Sequence, residues 1–328
     1  MRTEARFPSL GSGAGHYESF YVKATRPGGG RAVWIRYTIH KRPGEALTGS
    51  LWFTLFDVDA PGPIAAKATF PHDAVEAPPG GYIRVGVASL VPGAVRGALA
   101  VPGVVVGWEL SYTDRADAFH HLPYDFLYRA PLPRTKLLSP HPDTRISGSV
   151  TVNDEVFVLD EWPGMIGHNW GAEHAERWIW LQANEFRGAD GYFDAGLGRL
   201  KLGPLTTPWI GNAILHLDGV SHRLGGLERI RSTKVNESPT ACEFELSGAD
   251  LRVRGRASAD AKNVVGWVYA DPVGPEHNTV NCSIASLDLT VERKGAPPRT
   301  LACVGAAAYE LGMRETDHGI ALQPFPDE

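Results

Sequence analysis

The chain has 328 residues, of which 43% are hydrophobic and 21% charged, and its formal net charge is −5. This composition excludes disordered, collagenous, fibrous and disulfide-rich proteins, and the length suits about two globular domains. Nucleic-acid binding is disfavoured as well, because neutralising phosphates needs a surplus of Lys and Arg that the chain lacks.

The most apolar segments predict no membrane span. Residues 97–108 are shorter than the roughly 18 uninterrupted apolar residues of a span, and they contain Pro102. The first residues lack the apolar core of a signal peptide. Cys242, Cys282 and Cys303 are too few and odd in number for a disulfide framework. We therefore expect a cytoplasmic protein that makes, at most, transient contact with a membrane surface.

Short alternating segments predict a mainly antiparallel β protein. The 37 glycines and 25 prolines punctuate the chain at short intervals, as turns between many strands do. Apolar and polar residues alternate in segments 33–40, 146–153, 251–257 and 285–292, which is typical of strands with one wet face. Helical periodicity is nearly absent.

A proline-rich segment predicts the boundary between two β units. Residues 122–143 contain prolines at 123, 131, 133, 140 and 142, and prolines this dense are excluded from the middle of a sheet. We interpret the segment as a crossing between one unit that ends near residue 115 and another that starts near residue 144. The predicted domains are residues 1–140, with the crossing at their end, and residues 141–328. Each has enough strands to close into a barrel or to stack as a sandwich.

Residues 160–198 combine tryptophans with many polar groups. Four of the nine tryptophans lie within residues 162–180. A strand over residues 177–186 places two indoles, two amides and a phenyl ring on one face, namely those of Trp178, Trp180, Gln182, Asn184 and Phe186. Such a face is typical of a ligand-cavity wall, although a tryptophan on a strand is more often core filling.

The next strand supplies a candidate acid. Tyr192 and Asp194 share one face, and a turn over residues 187–191 makes a hairpin with the tryptophan strand. Burial beside indoles disfavours an ionised carboxylate, so we expect Asp194 to hold its proton at neutral pH. A neutral carboxylic acid is what protonation of an alkene or a carbonyl requires.

Motifs for metal, phosphate and nucleophilic chemistry are missing from the sequence. His168 and His174 have no third metal ligand at a standard spacing, and the His-x-Glu of His174 is followed by no Cys-x-x-Cys. No P-loop and no nucleophile elbow occur. We interpret the pair His120 and His121 as solvated or capping residues. The sequence predicts no metal site and no cofactor.

Three segments together resemble a known superfamily. They are GRAVWIRYTIHKRPG, PLPRTKLLSPHPDTRISGSVTVNDEVFVL and GMIGHNWGAEHAERWIWLQAN, the last followed by GYFDAG. They are similar to hydroxyneurosporene synthase, a carotenoid hydratase, and to the AttH-like group, which includes tocopherol cyclase and some fungal Diels–Alderases. The resemblance implies two lipocalin-like, calycin-type antiparallel β-barrel domains in tandem, with a pocket between or within them.

The resemblance also implies roles for individual residues. The His-x-Trp and Tyr-x-Asp patterns of carotenoid hydratases fall on His168 and Trp170, then on Tyr192 and Asp194. Asp194 is the implied proton donor, and His168 positions it or the water. Trp170 and Tyr192 are implied to stabilise a carbocation. The expected catalytic residues are Asp194, His168 and Tyr192, and the expected substrate-binding residues are Trp170, Trp178, Trp180, Gln182, Asn184, Glu173 and Asn169.

Three functions remain open from the sequence. The first is an enzyme without cofactor, a hydro-lyase or a cyclase or isomerase, that uses a buried acid on an isoprenoid or polyketide-like small molecule. The second is a non-catalytic lipocalin-type carrier of a lipid or isoprenoid. The third is an interaction scaffold, which requires the tryptophan cluster to be exposed.

Overall fold

The computed structural model describes residues 3–324 and confirms an all-β protein. Within these residues no α-helix is present, and no helix has the length and apolar character needed to cross a membrane. Short 3₁₀ turns cover Phe7–Ser9, His72–Ala74, Asp125–Tyr128, Leu227–Arg229 and Ala261–Asn263.

The first twelve strands form one sheet. They are β1 (His16–Thr25), β2 (Arg31–Lys41), β3 (Thr48–Asp57), β4 (Ile64–Phe70), β5 (Val75–Glu76), β6 (Ile83–Val85), β7 (Ala88–Val91), β8 (Ala94–Val101), β9 (Val104–Asp114), β10 (Phe119–His120), β11 (Thr135–Val152) and β12 (Glu155–Gly171). Their order is β4-β3-β2-β1-β12-β11-β9-β8-β7-β6-β5, with β10 beside β11.

The later strands form a second sheet and one small hairpin. They are β13 (Arg177–Ala183), β14 (Gly191–Arg199), β15 (Lys201–Leu202), β16 (Leu205–Thr206), β17 (Ile210–Leu217), β18 (Val220–Gly225), β19 (Lys234–Ser238), β20 (Ala241–Ser247), β21 (Leu251–Ser258), β22 (Val265–Tyr269), β23 (His277–Arg293) and β24 (Arg299–Met313). The order of the large sheet is β18-β17-β14-β13-β24-β23-β21-β20-β19, with β22 beside β23, while β15 and β16 pair only with each other.

The two large sheets have the same topology. In each, the first strand pairs with both the second and the last, so that β1 joins β12 and β13 joins β24. Each meander would therefore be a closed ring of strands if one seam, β4–β5 or β18–β19, were also paired. At the β18–β19 seam, an antiparallel bridge between Leu224 of β18 and Gly248, which follows β20, partly closes the gap between the two ends of the second sheet. The result is a nearly closed barrel and a half-barrel, which confirms the expected tandem architecture.

The prediction that residues 122–143 lie outside the sheets is wrong for their second part. Strand β11 begins at Thr135 and lies between β12 and β9, although it contains Pro140 and Pro142. Its pairing with β12 shifts register between Leu138 and His141 and again between His141 and Thr144. Each proline lies at one of these bulges, where the ladder is interrupted and a missing N–H is tolerated.

The sheets divide the chain later than the predicted domain boundary. Residue 140 falls inside β11, and the first sheet continues to Gly171 before the second begins at Arg177. Proline density was the basis of the predicted boundary. It does not separate the two cases, because the prolines in the bulges of β11 raise it as much as those of the crossing segment do. The division into domains at residue 140 stays a prediction, while the sheets divide between residues 171 and 177.

The predicted wet face of segment 33–40 is buried. Every residue of β1 and all but the first of β2 are buried. These strands of the first sheet pack on their own core with one face and against the second sheet with the other. Val33 and Ile35 pack into the first core, while Trp34 joins the second core. Segments 146–152, 251–257 and 285–292 alternate between buried and more exposed residues, as predicted. The polar face of β1 and β2 is thus an interface between the sheets.

A buried carboxylate fastens the N-terminal turn to the first sheet. Glu18 accepts hydrogen bonds from the backbone N–H groups of Arg6 at 2.8 Å and Phe7 at 2.9 Å, and it lies 2.8 Å from Nε2 of His168. Burial alone would raise the pKa of Glu18, but hydrogen bonds with His16 and His168 outweigh it and lower this pKa to about 2.

This shift predicts an acid-sensitive contribution to stability. Because the folded pKa of Glu18 lies below its ordinary 4.5, the contribution is full above pH 4.5 and is lost as the pH falls towards 2. We expect Glu18→Gln to reduce the free energy of unfolding by about 3 kcal/mol at neutral pH. Urea unfolding from pH 7 to pH 2 should show the difference from wild type shrinking below pH 4.5. The exposed Glu4→Gln is the control, and a pH-independent difference would contradict the assignment.

Candidate functional site

A cavity of about 370 Å³ lies between the two sheets. Strands β1, β2, β11 and β12 line it from the first sheet, and β13, β14, β17, β22 and β24 line it from the second, with residues 121–135 along one side. Most of the lining is apolar, with a few polar groups, as in small-molecule sites. The polar and aromatic lining residues used below are Tyr17, Tyr21, Arg36, His121, Asn169, Glu173, His174, Trp178, Trp180, Tyr269 and Glu310.

The predicted tryptophan wall is present along β13. Trp178 and Trp180 line the cavity, while Leu181 and Ala183 pack into the second core and Ile179 contacts both. Trp180 contacts Tyr21 edge to face, with 5.1 Å between ring centroids. Two aromatic rings from facing sheets therefore meet at the cavity wall.

The predicted face does not extend to Phe186. Strand β13 ends at Ala183, and Phe186 packs into the second core instead. The alternation fails there because the chain leaves the strand before the predicted turn. The predicted hairpin itself is present, since β13 and β14 pair antiparallel.

Gln182 and Asn184 connect the two sheets and are not among the cavity-lining residues. Gln182 accepts a hydrogen bond of 2.9 Å from the ammonium of Lys23, which also donates to the carbonyl of Ala306. Asn184 donates to the carbonyl of Gly164 at 2.6 Å and to Asp143 at 3.2 Å. The side-chain amides of both residues bond to protein groups and do not face the cavity. The geometry therefore does not support the predicted role of these two residues in substrate binding.

Asp194 is fully buried directly behind the cavity wall. Ser139 donates a hydrogen bond of 2.5 Å to its Oδ2, and Nε2 of His121 lies 3.1 Å from the Ser139 hydroxyl and 3.5 Å from the same carboxylate oxygen. His121 itself lines the cavity. Asp194 Oδ1 has no hydrogen-bond partner within residues 3–324. The predicted acid is therefore linked to the cavity through two side chains.

His121 is not the solvated residue that the sequence suggested. Its side chain is buried, and its Nδ1–H donates to the carbonyl of Asn212 at 3.3 Å. Gly196 makes room for the neighbouring Leu137, because a Cβ at that position would meet the Leu137 side chain at 2.5 Å but would only touch Nδ1 of His121, at 3.5 Å. His120, in contrast, is half-buried and lies 3.5 Å from the exposed Asp125.

His168 and Trp170 lie on the other face of β12. His168 bonds Glu18 and stacks on Phe20, with ring centroids 3.9 Å apart. Trp170 packs with Tyr128 and Leu138. The residue between them in the chain, Asn169, is the one that lines the cavity, because successive side chains point to opposite faces. The structure thus does not bring His168 to Asp194.

The remaining predicted residues divide between the cavity and its surroundings. Glu173 lines the cavity and forms an ion pair of 2.9 Å with Arg134. Tyr192 shares a face with Asp194, but it stacks on His216 with 5.4 Å between centroids and is not among the lining residues. Burial raises the pKa of Tyr192, so its hydroxyl keeps its proton.

Sequence reasoning missed a buried cluster of His174, Asp271 and His277. Nδ1 of His174 lies 2.7 Å from Asp271 Oδ1, and the backbone N–H of His174 donates to the same oxygen at 2.7 Å. Nδ1 of His277 lies 3.6 Å from Asp271 Oδ2. No local spacing revealed the cluster, because His174 and Asp271 are 97 positions apart.

The charges of this cluster follow from burial and hydrogen bonding. Burial alone would raise the pKa of Asp271, but hydrogen bonds from His174 lower it below its usual range. Burial lowers the pKa of His277 to about 3, so that this imidazole is neutral. The potential ligand atoms of the three residues lie within 4.8 Å of one another, a donor set that zinc accepts. The guanidinium of Arg314, 3.7 Å from Asp271 Oδ2, already supplies a positive charge there.

A second carboxylate, that of Glu310, also faces the cavity. It accepts hydrogen bonds from Trp178 Nε1 at 2.9 Å, Asn281 at 3.0 Å and the Tyr269 hydroxyl at 3.1 Å. Arg36 stacks over the Tyr269 ring at 3.9 Å. An anion and a cation therefore lie within an otherwise mostly apolar wall.

Comparisons with known proteins bear on the fold. A comparison with protein-family models finds no match. Two uncharacterised proteins from two strains of Mycobacterium tuberculosis are each 23% identical over 318 residues, covering 95% of this chain and 91% of theirs. The crystal structure of an AttH candidate from Nitrosomonas europaea aligns with a TM-score of 0.53 at 12% identity, over 92% of this chain and 93% of that one.

The chain has the AttH fold. This finding confirms the fold that the sequence resemblance implied, and at 12% identity it concerns the fold alone. Kievitone hydratase from Nectria haematococca also aligns, with a TM-score of 0.47 at 10% identity, over 92% of this chain and 90% of that one.

The two sets of tryptophans predict different effects on ligand binding. We expect N-phenylnaphthylamine, an apolar fluorescent probe, to bind in the cavity. Trp180→Phe should weaken the binding free energy of the probe by about 1 kcal/mol, which raises its Kd about fivefold. Trp170→Phe is the matched control, because Trp170 is as deeply buried as Trp180 but lies outside the cavity. Equal changes in Kd for both variants, measured by fluorescence titration, would place the ligand elsewhere.

Proposed function

We propose that the protein is a cofactor-independent enzyme that protonates a double bond of a hydrophobic small molecule and completes a hydration, cyclisation or isomerisation. One observation supports this most strongly. The buried carboxylate of Asp194 connects through Ser139 to His121 at the wall of an aromatic-lined cavity. A carrier needs no such connection, because binding an apolar ligand uses only the shape and surface of the cavity.

The connection can hold one proton in two arrangements. Nδ1–H of His121 donates to the carbonyl of Asn212, which leaves Nε2 towards Ser139 and Asp194. In one arrangement Nε2 carries the proton and Ser139 donates to an ionised Asp194. In the other, Asp194 carries the proton and Ser139 donates to Nε2. Two proton transfers interconvert them, one between Asp194 and Ser139 and one between Ser139 and Nε2, so a proton stored on Asp194 can reach His121 at the cavity wall.

The cavity wall suits a cationic intermediate. The π faces of Trp178, Trp180 and Tyr21 are available from both sheets, and aromatic rings stabilise cations by their quadrupoles. The carboxylate of Glu310 adds a fixed negative charge at the same wall. These residues take the role that the resemblance implied for Trp170 and Tyr192, which lie outside the cavity.

Unpartnered polar atoms favour a substrate with a polar end. Nη1 of Arg36 and Oδ1 of Asn169 are buried at the cavity and have no hydrogen-bond partner in the described part of the chain. A buried polar atom without a partner costs free energy, which a hydroxyl or carbonyl group of a ligand would recover. An isoprenoid or polyketide-like molecule with one oxygenated end combines these properties.

An apolar rim supports entry of a hydrophobic substrate. Leu132, Leu202 and Leu227 line the cavity, yet they are 54%, 50% and 59% exposed. Side chains of this kind at a cavity mouth contact apolar molecules before they are bound. Transient contact of this rim with a membrane surface, from which such a substrate would come, is part of the proposal.

Deuterium incorporation tests the proposed acid. The purified protein is incubated in D2O with farnesol, geranylgeraniol, lycopene and conjugated polyene polyketides, and products are analysed by mass spectrometry. We expect a product with deuterium bound to carbon, with added water if the reaction is a hydration. Asp194→Asn should lower its rate by at least about a hundredfold, the usual contribution of a general acid.

The control replaces another buried carboxylate outside the cavity. Asp143→Asn leaves the Asp194 connection intact, since Asp143 contacts Asn184, Arg115 and Arg145. It should retain the wild-type rate. Ligands that are recovered bound but unchanged would favour the lipocalin-type carrier, whereas an active Asp194→Asn variant would overturn Asp194 as the acid.

A further inference from the structure

His174 presents an oriented imidazole to the same cavity. Its ring lies between Tyr17 and Trp178, with centroid distances of 3.8 Å and 5.3 Å and nearly parallel planes. Its Nε2 is buried and has no hydrogen-bond partner within residues 3–324. The ring is thus fixed on both faces while one nitrogen stays available.

Asp271 sets the tautomer of this imidazole. The carboxylate accepts from the backbone N–H of His174, and the same oxygen lies 2.7 Å from Nδ1. Arg314 at 3.7 Å and the neutral His277 at 3.6 Å complete its surroundings. An ionised carboxylate only accepts, so Nδ1 carries the hydrogen of this bond, and Nε2, which has no partner in residues 3–324, is the nitrogen left to exchange a proton with a ligand. A base oriented by a carboxylate is the arrangement that general-base catalysis uses.

This imidazole and the Asp194 connection lie on different sides of β13. His121 contacts β14 and β17, at Gly196 and Asn212. His174 contacts Trp178 of β13 and bonds Asp271, which follows β22. In the sheet order, β14 and β17 lie on one side of β13, while β24, β23 and β22 lie on the other. The cavity is therefore lined by two imidazoles, those of His121 and His174, at separate positions.

We propose that His174 is the general base that activates water for addition to a double bond, with Asp271 as its positioning residue. The inference rests on the proposed function and makes hydration its reaction. One alkene carbon forms a bond to the proton delivered through His121, and the π electrons supply that bond. The oxygen of water bonds to the other carbon, and Nε2 of His174 takes the proton that the water loses. The product is an alcohol, and solvent returns the proton from His174 to Asp194.

The surroundings favour this role over a metal site. Asp271 Oδ1 already has two hydrogen-bond partners on His174, and the guanidinium of Arg314 partly neutralises the carboxylate. A divalent cation at this position would meet that positive charge. A general base and a metal site differ in the metal content of the purified protein, so the experiment also measures that content.

The experiment separates protonation from water addition. The alkene that the wild type converts in D2O is assayed for two signals, deuterium exchange into recovered alkene and alcohol formation. His174→Gln and Asp271→Asn should each lower alcohol formation about a hundredfold or more and leave deuterium exchange within about threefold of wild type. Asp194→Asn should lose both signals, because no carbocation forms.

The matched control is His141→Gln. His141 is also a buried imidazole bonded to a carboxylate, since its Nδ1 lies 2.7 Å from Asp114 Oδ1, but it is not among the cavity-lining residues. This variant should retain both signals, with folding of every variant checked by circular dichroism. A loss in His141→Gln as large as in His174→Gln would reduce the effect to a general loss of packing and would overturn the assignment.

Three outcomes distinguish the failures. If no alkene in the panel is converted, the proposed function and this inference both fail. If conversion depends on Asp194 but His174→Gln forms alcohol at the wild-type rate, only this inference fails. One equivalent of zinc in the purified protein by plasma mass spectrometry, lost in Asp271→Asn, would make His174 a metal ligand and would also overturn it.

Discussion

The burial of polar groups between two sheets constrains the whole structure. Strands β1 and β2 are covered on both faces, so Lys23 has no access to water and its ammonium depends on Gln182 and the carbonyl of Ala306. Burial lowers the pKa of Lys23 to about 8, which shows how strongly this environment disfavours charge. A buried polar group without a partner costs more than most single contacts gain, so few relative positions of the sheets are acceptable.

Several polar atoms at the cavity lack a protein partner within the described part of the chain, as do other buried atoms such as Asp194 Oδ1 and Thr54 Oγ1. Around Gln182 and Asn184 every amide finds a protein partner across the sheets. At the cavity, Arg36 Nη1, Asn169 Oδ1 and His174 Nε2 have none in residues 3–324. The same strands thus supply structural contacts over one stretch and unpartnered groups over the next. Functional sites are the usual place for such local violations, because the missing partner is the ligand.

Period-two alternation made much of the fold predictable. It identified the strands, the β13–β14 hairpin and the cavity face of Trp178 and Trp180. The roles of His168 and Trp170 came instead from the family resemblance, and alternation offered no check on them, because β12 is buried on both faces over this stretch and shows no contrast between core and surface. A shift of one residue reverses the face, so Asn169 lines the cavity and its neighbours do not.

Other features depend on contacts that no local window contains. The bulges that admit Pro140 and Pro142 into β11 arise from its pairing with β12. The cluster of His174 with Asp271 and His277 requires the chain to return through β22 and β23 after about a hundred residues. His121 shows the same limit, because its partners Ser139 and Asn212 lie 18 and 91 positions away in the chain. Sequence patterns identified the wall of the site, whereas tertiary contacts decide which side chains meet there.

The repeated topology explains how one cavity can hold the two separate groups that we propose to handle protons. Each sheet is a meander whose first strand pairs with its last, so β1 and β13 are central in their sheets and both line the cavity. The strands on the two sides of β13 line different parts of the cavity. On one side, β17 carries Asn212, the partner of His121, and on the other side Asp271, the partner of His174, follows β22. Water addition needs a donor and an acceptor that do not neutralise each other, and a central aromatic strand keeps them apart. In this fold, the tryptophan strand β13 lies between the two groups that we propose, with Asp194 behind His121 and Asp271 bonded to His174.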